Sequence, residues 1–159
     1  MGEMVISSDP NDELLALGLG SCIGLAMVDR QAGVAGLAHV VLPESDGAGA
    51  PAAKFADTAV PELLARLCDA GALRGRLQVA IAGGASMFAR SQSLDIGARN
   101  QHAVRRALSR ARLRCDAADI GGELGRTMRV SVRTGAVTIR SAGQEPVQLL
   151  PGAPVRRAA

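Results

Sequence analysis

The sequence is nearly devoid of aromatic residues. It contains no Trp, no Tyr and only two Phe among 159 residues, and Lys54 is its sole lysine. Proteins that bind single-stranded nucleic acids stack the bases on aromatic side chains. This composition, together with a net charge of only +3, therefore argues against nucleic-acid binding. A hydrophobic core has to be built from Leu, Val, Ile, Ala and Met, whose small side chains favour close packing of the elements.

Cysteine and histidine are scarce as well, which excludes further kinds of site. The three cysteines, Cys22, Cys68 and Cys115, are odd in number and far apart, so we expect free thiols in a reducing cytoplasm. Together with His39 and His102 they show no C-x-x-C or H-x-x-x-H spacing, and we predict no metal site. The chain has no apolar run of transmembrane length and no secretory segment, so we expect a cytoplasmic protein without membrane insertion.

The length of 159 residues fits a single domain with a substantial core. Residues 1–12 are polar and are expected to form an N-terminal lead that includes a short strand at 4–7. The folded domain is predicted to span residues 13–142. Residues 143–159 contain three prolines and are expected to form a frayed tail.

The pattern of apolar residues predicts an α+β fold in which sheet dominates and helices cover part of it. The first three strands are continuous apolar runs, which predicts burial on both faces. Both helices carry an apolar stripe at helical spacing, and Cys68 lies on the first stripe, where we expect it in the core. The predicted elements are strands 14–19, 23–28 and 34–42, helix 55–70, strand 77–82, helix 98–112, strand 114–120 and a hairpin of 127–133 with 136–140.

The residues most informative about function are Cys22 and His39. Cys22 ends the run Leu-Gly-Leu-Gly-Ser-Cys between two predicted strands, and His39 stands near the end of the next strand. A thiol and an imidazole suffice for thiolate catalysis, and two antiparallel strands would bring them together. Gly18 and Gly20 permit a sharp turn that leaves N–H groups unpaired beside the thiol, where they can hold an oxyanion. The alternative is that Cys22 is a small buried apolar residue and His39 a hydrogen-bonded residue at a strand end.

A dinucleotide-binding site is the main competing interpretation of the glycines. The spacing Gly18-x-Gly20-x-x-x-Gly24 differs from the phosphate-binding fingerprint, since its third glycine comes one residue late. A predicted strand follows it, rather than the helix whose N-terminus would bind pyrophosphate. Lys54 lacks the preceding glycines of a phosphate-binding loop. We therefore favour cysteine chemistry over nucleotide binding.

Six blocks of sequence occur in order within residues 13–140. They are LGLGSC at 17–22, GLAHVVLP at 36–43, KFADTAVP at 54–61, GGASMF at 83–88, IGARN at 96–100 and DIGGELGR at 119–126. Together these blocks resemble the CheD family of chemoreceptor glutamine deamidases. The agreement of six blocks without large gaps makes the resemblance specific.

The resemblance implies a fold and a reaction. The fold is a three-layer α/β/β sandwich, similar to the catalytic domain of the cytotoxic necrotizing factor toxins. The reaction is that of a protein-glutamine glutaminase, which converts specific Gln side chains of methyl-accepting chemotaxis receptors to Glu. Ammonia is released through a cysteine thioester, without a metal or organic cofactor. Some members also hydrolyse glutamyl methyl esters, and many bind the phosphatase CheC.

By position, Cys22 matches the nucleophile of the family and His39 matches its histidine. Backbone N–H groups around Gly20, Ser21 and Cys22 are expected to hold the oxyanion. The third catalytic residue of the family is a threonine six positions before the cysteine, where this chain has Ala16. Either another group orients His39 or the protein is a weaker catalyst. The alternative function is an inactive module that binds receptors or a CheC-type phosphatase.

Two further blocks are candidates for the substrate site. Gly83 and Gly84 end a predicted strand, where they let a substrate backbone approach, add an oxyanion donor, or form a plain turn. Arg99 and Asn100 begin the second helix, where they either contact substrate or brace the helix. A hydrolase acting on a glutamine of some other protein is a third function that the sequence leaves open.

Overall fold

The computed structural model describes residues 1–47, 49, 51–86 and 95–152. This part of the chain contains nine β-strands, two α-helices and two short 3-10 helices, which confirms the predicted α+β class. The strands are β1 Met4–Ser7, β2 Glu13–Leu19, β3 Ile23–Asp29, β4 Val34–Val40, β5 Gln78–Gly83, β6 Ala117–Ile120, β7 Arg126–Ser131, β8 Val137–Ser141 and β9 Val147–Leu150. The helices are α1 Ala56–Asp69 and α2 Ile96–Arg110, with 3-10 turns at Ala52–Lys54 and Arg74–Arg76.

The strands form two sheets. The first has five strands in the order β1-β4-β3-β5-β6, antiparallel except for the parallel pair of β5 and β6. The second has four antiparallel strands in the order β2-β7-β8-β9. The connection from β2 to β3 therefore carries the chain from one sheet to the other. Cys22 lies in this connection.

Two hydrophobic cores separate three layers. One core lies between the helices and the five-stranded sheet, and its buried side chains come from α1, α2, β3, β4 and β5. The other lies between the two sheets, where side chains of β2, β7 and β8 meet the opposite faces of β3, β4 and β5. The helices thus cover one face of the five-stranded sheet and the second sheet covers the other. This is the three-layer α/β/β sandwich that the resemblance implies.

Small residues set the close spacing of these layers. Gly36 of β4 lies under α1, and a Cβ atom there would lie 2.7 Å from Cδ1 of Leu63. Gly24 of β3 faces the other sheet, and a Cβ atom there would lie 2.7 Å from Cδ1 of Leu19. Carbon atoms in contact prefer separations of about 3.5–4.0 Å. Both glycines are therefore needed for the observed approach of the layers.

The outer sheet and the chain ends differ from the sequence predictions. The apolar run of β2 predicts burial on both faces, but Leu14 and Ala16 are buried while Leu15 and Leu17 are exposed. Only one face of the outer sheet meets another layer, so its strands alternate. The predicted frayed tail is wrong for Val147–Leu150, which pairs with β8 as β9. The N-terminal lead contributes β1, which forms an edge of the five-stranded sheet.

The first helix also corrects one prediction. Cys68 was expected in the core, but its side chain is exposed, at the edge of an α1 stripe that buries Leu63 and Leu67. Pro61 lies within α1 without ending it. Cys115 is partly buried against the helix-side core, in agreement with a structural role. None of the described helices is long and apolar enough to cross a lipid bilayer.

Candidate active site

Cys22 lies at the end of the turn that joins the two sheets. This turn, formed by Gly20, Ser21 and Cys22, is called the cysteine turn below. β2 ends at Leu19, and β3 begins at Ile23. Gly18 has a φ of +66°, a conformation that residues with a side chain rarely adopt. The Gly20 N–H donates to the Gly18 carbonyl oxygen at 2.9 Å, which tightens the turn. The Cys22 side chain that follows is only 8% exposed.

The turn is fastened to the segment around the end of β5. The Gly84 N–H donates to the Cys22 carbonyl oxygen at 2.8 Å, and the Ala85 N–H donates to the Gly20 carbonyl oxygen at 2.8 Å. Gly83 has a φ of +111°, and a Cβ atom there would lie 2.2 Å from the Cys22 carbonyl oxygen, so only glycine fits. Gly83 and Gly84 therefore hold the cysteine turn by close backbone approach. The Gly84 N–H is not free to bind a substrate.

Two N–H groups of the turn have no hydrogen-bond acceptor among the described residues. The Gly20 N–H, one of the expected oxyanion donors, is used by the Gly18 carbonyl. The N–H groups of Ser21 and Cys22 meet no acceptor in the part of the chain that the structure describes. Two neighbouring N–H groups without an acceptor, close to a nucleophile, can stabilise the negative oxygen of a tetrahedral intermediate. The turn thus offers two such donors, on the residue that carries the thiol and on the one before it.

His39 lies on β4, at the same end of the five-stranded sheet as the cysteine turn. In the antiparallel pairing of β3 with β4, Gly24 faces His39 and Ile23 faces Val40, so Cys22 directly precedes the paired residues. The His39 side chain is partly buried, and its Nε2 is enclosed without a hydrogen-bond partner among the described residues. Within the same residues no hydrogen bond joins the ring to the thiol of Cys22.

Burial sets the protonation of both side chains. It raises the pKa of the Cys22 thiol and lowers the pKa of the His39 imidazole. Surroundings of low dielectric constant disfavour the thiolate and the imidazolium alike. Both shifts favour a neutral thiol and a neutral imidazole over an ion pair at neutral pH.

A surface cleft of about 500 Å³ adjoins His39. Ala16 lines this cleft together with His39, the exposed side chains of Leu15 and Leu17, and residues of β1. Position 16, which by the resemblance corresponds to the threonine of the CheD family, thus lines the same cleft as the imidazole of His39. The methyl group of Ala16 offers that imidazole no hydrogen bond. Cys22 is not one of the residues that line the cleft.

Asn100 joins the cysteine turn to the end of β4. Its side chain is fully buried. Its Nδ2 donates to the carbonyl oxygen of Ser21 at 2.9 Å and to that of Val41 at 2.8 Å. The sequence left open whether Asn100 contacts substrate or braces the helix. These contacts brace the turn and the strand end from the helix.

The sequence reasoning missed a second amide contact. Nε2 of Gln101 donates to the Gly84 carbonyl oxygen at 2.7 Å and so supports the segment that holds the cysteine turn.

The bracing role of Asn100 could have been predicted from the sequence, because Asn100 lies on the same helix face as the buried Ala103 and Val104. A buried amide is stable only when it is hydrogen-bonded, so its place on that face alone predicts internal partners.

Arg99 lies away from this arrangement. Its side chain is exposed and lines a surface groove with Pro43, His102 and Arg106, none of which belongs to the cysteine turn or to the cleft beside His39. Neither of the two sequence interpretations of Arg99 gains a contact from this placement. Among the described residues, no group of three or more His, Cys, Asp or Glu side chains is arranged to hold a metal ion.

Comparison with known proteins gives matches along nearly the whole chain. A family model described as CheD chemotactic sensory transduction matches residues 41–141. A probable chemoreceptor glutamine deamidase CheD of Symbiobacterium thermophilum is 45% identical over 150 residues, which are 91% of each chain. A probable chemoreceptor glutamine deamidase CheD of Methanococcus vannielii is 43% identical, over 91% of this chain and 94% of the relative. The chemoreceptor glutamine deamidase CheD of Thermotoga maritima is 41% identical over 90% of each chain.

Proposed function

Because the chain belongs to the CheD family, we propose that it is a cysteine-dependent protein-glutamine glutaminase of methyl-accepting chemotaxis receptors, acting in the cytoplasm. It converts specific Gln side chains of these receptors to Glu and releases ammonia. The names of its relatives, which are chemoreceptor glutamine deamidases, support this substrate class. The observation that carries the proposal is the cysteine turn. It combines Cys22 with two N–H groups that have no acceptor among the described residues, at the end of the sheet that holds His39.

The reaction proceeds through a thioester. Sγ of Cys22 attacks the carboxamide carbon, and a carbon–sulfur bond forms while the carbonyl oxygen takes up the electron pair of its double bond. The N–H groups of Ser21 and Cys22 donate to this oxyanion. When the double bond re-forms, the carbon–nitrogen bond breaks, and ammonia leaves with a proton from His39. Water then attacks the thioester carbon and gives a proton to His39. The carbon–sulfur bond breaks, and the leaving sulfur takes that proton from His39, which regenerates the thiol and leaves Glu on the substrate.

Burial favours a proton transfer that accompanies the attack. It disfavours the thiolate of Cys22 and the imidazolium of His39 when each is considered alone. The neutral imidazole is also the form that can accept the thiol proton. The proton therefore moves to His39 as the carbon–sulfur bond forms. The imidazolium of His39 and the oxyanion of the tetrahedral intermediate then exist together only for the short life of that intermediate.

The same residues support hydrolysis of glutamyl methyl esters as a second reaction. Attack of Cys22 on the ester gives the same thioester as attack on the amide. Only the leaving group differs, since methanol rather than ammonia takes the proton from His39. The oxyanion has the same place in both reactions, so the N–H groups of the turn stabilise both.

The alternative function is a module that binds receptors or a CheC-type phosphatase without catalysis. Two observations favour it. Ala16 supplies no hydroxyl on the cleft wall that it shares with His39, and no hydrogen bond joins that ring to Cys22 in the described residues. Against it stand the presence of both side chains and the free donors of the cysteine turn, none of which a binding surface requires.

Incubation with purified cytoplasmic receptor fragments tests the proposal. Mass spectrometry of receptor peptides detects conversion of Gln to Glu, and an ammonia assay counts the turnovers. Cys22→Ala is the negative control. Cys68→Ala removes an exposed thiol of α1 and is the matched control that keeps activity. Conversion by the parent and by Cys68→Ala alone supports the enzyme, whereas fragment binding by all three proteins without conversion supports the module.

A further inference from the structure

The peptide units of the cysteine turn are all held from one side. The three consecutive carbonyl oxygens of Gly20, Ser21 and Cys22 each accept a hydrogen bond from the body of the protein. The donors, in the same order, are the Ala85 N–H, Nδ2 of Asn100 and the Gly84 N–H. The N–H groups of Ser21 and Cys22 meet no acceptor within the described ranges. The carbonyls of the turn thus point into the protein, while two of its N–H groups stay available.

Two of the anchored carbonyls, those of Gly20 and Ser21, share a peptide unit with the N–H groups of Ser21 and Cys22, which meet no acceptor among the described residues. A trans peptide places its C=O and its N–H on opposite sides of the bond, and the described residues contain no cis peptide. The Ser21 carbonyl and the Cys22 N–H belong to one such unit. A donor that fixes the Ser21 carbonyl therefore also fixes the direction of the Cys22 N–H. Among the described residues that anchor the turn, only Asn100 does so through its side chain, so this anchor can be removed by a substitution that leaves the backbone intact.

The amide of Asn100 is matched to this task. Nδ2 uses both of its hydrogens, on the carbonyls of Ser21 and Val41. Oδ1 is buried as well, and it finds no donor in the part of the chain that the structure describes. A half-turn of the amide would set Oδ1 against two carbonyl oxygens and leave neither hydrogen bond, so the surroundings enforce one orientation. An aspartate of the same shape has no N–H to donate.

We propose that Asn100 is a positioning residue of the deamidation reaction, which orients the Ser21–Cys22 peptide so that the Cys22 N–H faces the reacting carbonyl. This inference rests on the proposed function. The second hydrogen bond, to Val41, ties the same amide to the strand end two residues beyond His39. A carbonyl that accepts a hydrogen bond also polarises the N–H of its own peptide, which makes that N–H a better donor. Asn100 thereby acts on the oxyanion through the backbone.

Two substitutions test the proposal. Asn100→Asp removes both donated hydrogen bonds at constant shape, and Asn100→Ala removes them without adding a buried charge. Loss of one oxyanion donor typically lowers kcat by about 10²–10³. Misorientation of one of two donors should lower kcat by at least about 10-fold, with KM for the receptor fragment nearly unchanged, because the N–H acts on the transition state. Ala107→Gly is the matched control, since it weakens the same helix without touching the turn.

A second measurement separates positioning from structural damage. Alkylation of Cys22 by iodoacetamide forms no oxyanion, so in a Cys68→Ala background it should keep the parental rate in the Asn100 variants while deamidation falls. Equal losses of alkylation and deamidation in a folded variant, or a parental kcat, would overturn the proposal.

The NMR chemical shift of the Ser21 carbonyl carbon is a measurement that does not depend on activity. If the parent does not deamidate receptors, the proposed function fails. A displaced Ser21 resonance in Asn100→Ala still supports the orienting contact, and an unmoved one overturns it.

Discussion

The cysteine turn and the end of β4, which carries His39, lie at the same end of the five-stranded sheet, but they differ in the hydrogen bonds that fix them. The turn is fixed by hydrogen bonds to each of its three carbonyls and by the local bond between Gly20 and Gly18. The ring of His39 has an enclosed nitrogen without a partner among the described residues. Beside it, Ala16 presents a methyl group to the shared cleft. The proposed nucleophile and oxyanion donors are thus held by hydrogen bonds, while the proposed base has no such contact at its enclosed nitrogen among the described residues.

The difference indicates which part of the site can vary. Oxyanion donors act because they are already aligned when the negative charge develops, so a loose donor loses most of its effect. A base has to be neutral and within reach of the proton, and a freer ring satisfies both conditions for part of the time. Loss of an orienting hydroxyl therefore lowers the rate without ending the reaction. A hydrogen-bonded turn beside a His39 ring that has no orienting hydrogen bond among the described residues is consistent with a weaker enzyme.

The largest expected effect concerns the nucleophile in the rigid region. Cys22→Ala removes the only group of the turn that can form a thioester, so receptor deamidation should fall to the uncatalysed background while the fold persists. Mass spectrometry of receptor peptides checks the first point, and thermal denaturation checks the second. Conversion by Cys22→Ala at a rate close to that of the parent would contradict the mechanism.

The next effect concerns the base. General acid–base assistance is typically worth about 10²–10⁴ in rate, so His39→Ala should lose activity in that range. The competing interpretation is that His39 is structural, because its backbone N–H bonds to the carbonyl of Glu3 and its ring is partly buried. A variant that melts far lower but keeps its activity per folded molecule would support that interpretation. Steady-state assays on the folded fraction distinguish the two.

Restoring the family's hydroxyl tests the comparison in the opposite direction. In Ala16→Thr the new hydroxyl lies on the cleft wall shared with His39, where it can orient the ring. A regained hydrogen bond worth about 1.4 kcal/mol in the transition state would raise kcat about 10-fold. A β-branched side chain suits a strand position such as this one on β2.

Ala16→Val is the matched control, because valine has the shape of threonine without the hydroxyl. A higher kcat in Ala16→Thr but not in Ala16→Val would show that the orientation of the His39 ring limits the rate of the parent protein. Equal rates in both variants and an active parent would show that another group already orients His39. No activity in any of the three would favour the binding module.

The sequence predicted the parts of this site that depend on local pattern. The apolar runs around Cys22 and His39 predict two strands, and these pair antiparallel as β3 and β4. The glycines at 18 and 20 predict a sharp turn beside the thiol, and Gly18 has the positive φ expected there. Each of these features needs only residue type and spacing, so a single sequence is sufficient.

The parts that failed depend on how distant segments meet. β2 reads as a continuous apolar run like β3, but Leu15 and Leu17 are exposed because β2 pairs with β7 in the outer sheet. Whether Cys68 faces the core or solvent depends on the rotation of α1 against the sheet. The fixing of the Gly20, Ser21 and Cys22 carbonyls follows from contacts with Ala85, Asn100 and Gly84, which are distant in the chain. No local pattern contains this information.

The smallest expected effect concerns pH. Burial lowers the pKa of His39, so the imidazole stays neutral in more acidic solution than a free histidine, whose pKa is about 6.5. Because the base has to be neutral, the acid limb of kcat/KM for deamidation should fall below that pH. A hydroxyl oxygen that accepts a hydrogen bond from the ring favours the imidazolium. In Ala16→Thr the limb should therefore move to higher pH, while in Ala16→Val it stays in place. An acid limb of the parent at or above about pH 6.5 would mean that a group of opposite charge, rather than burial, controls the base.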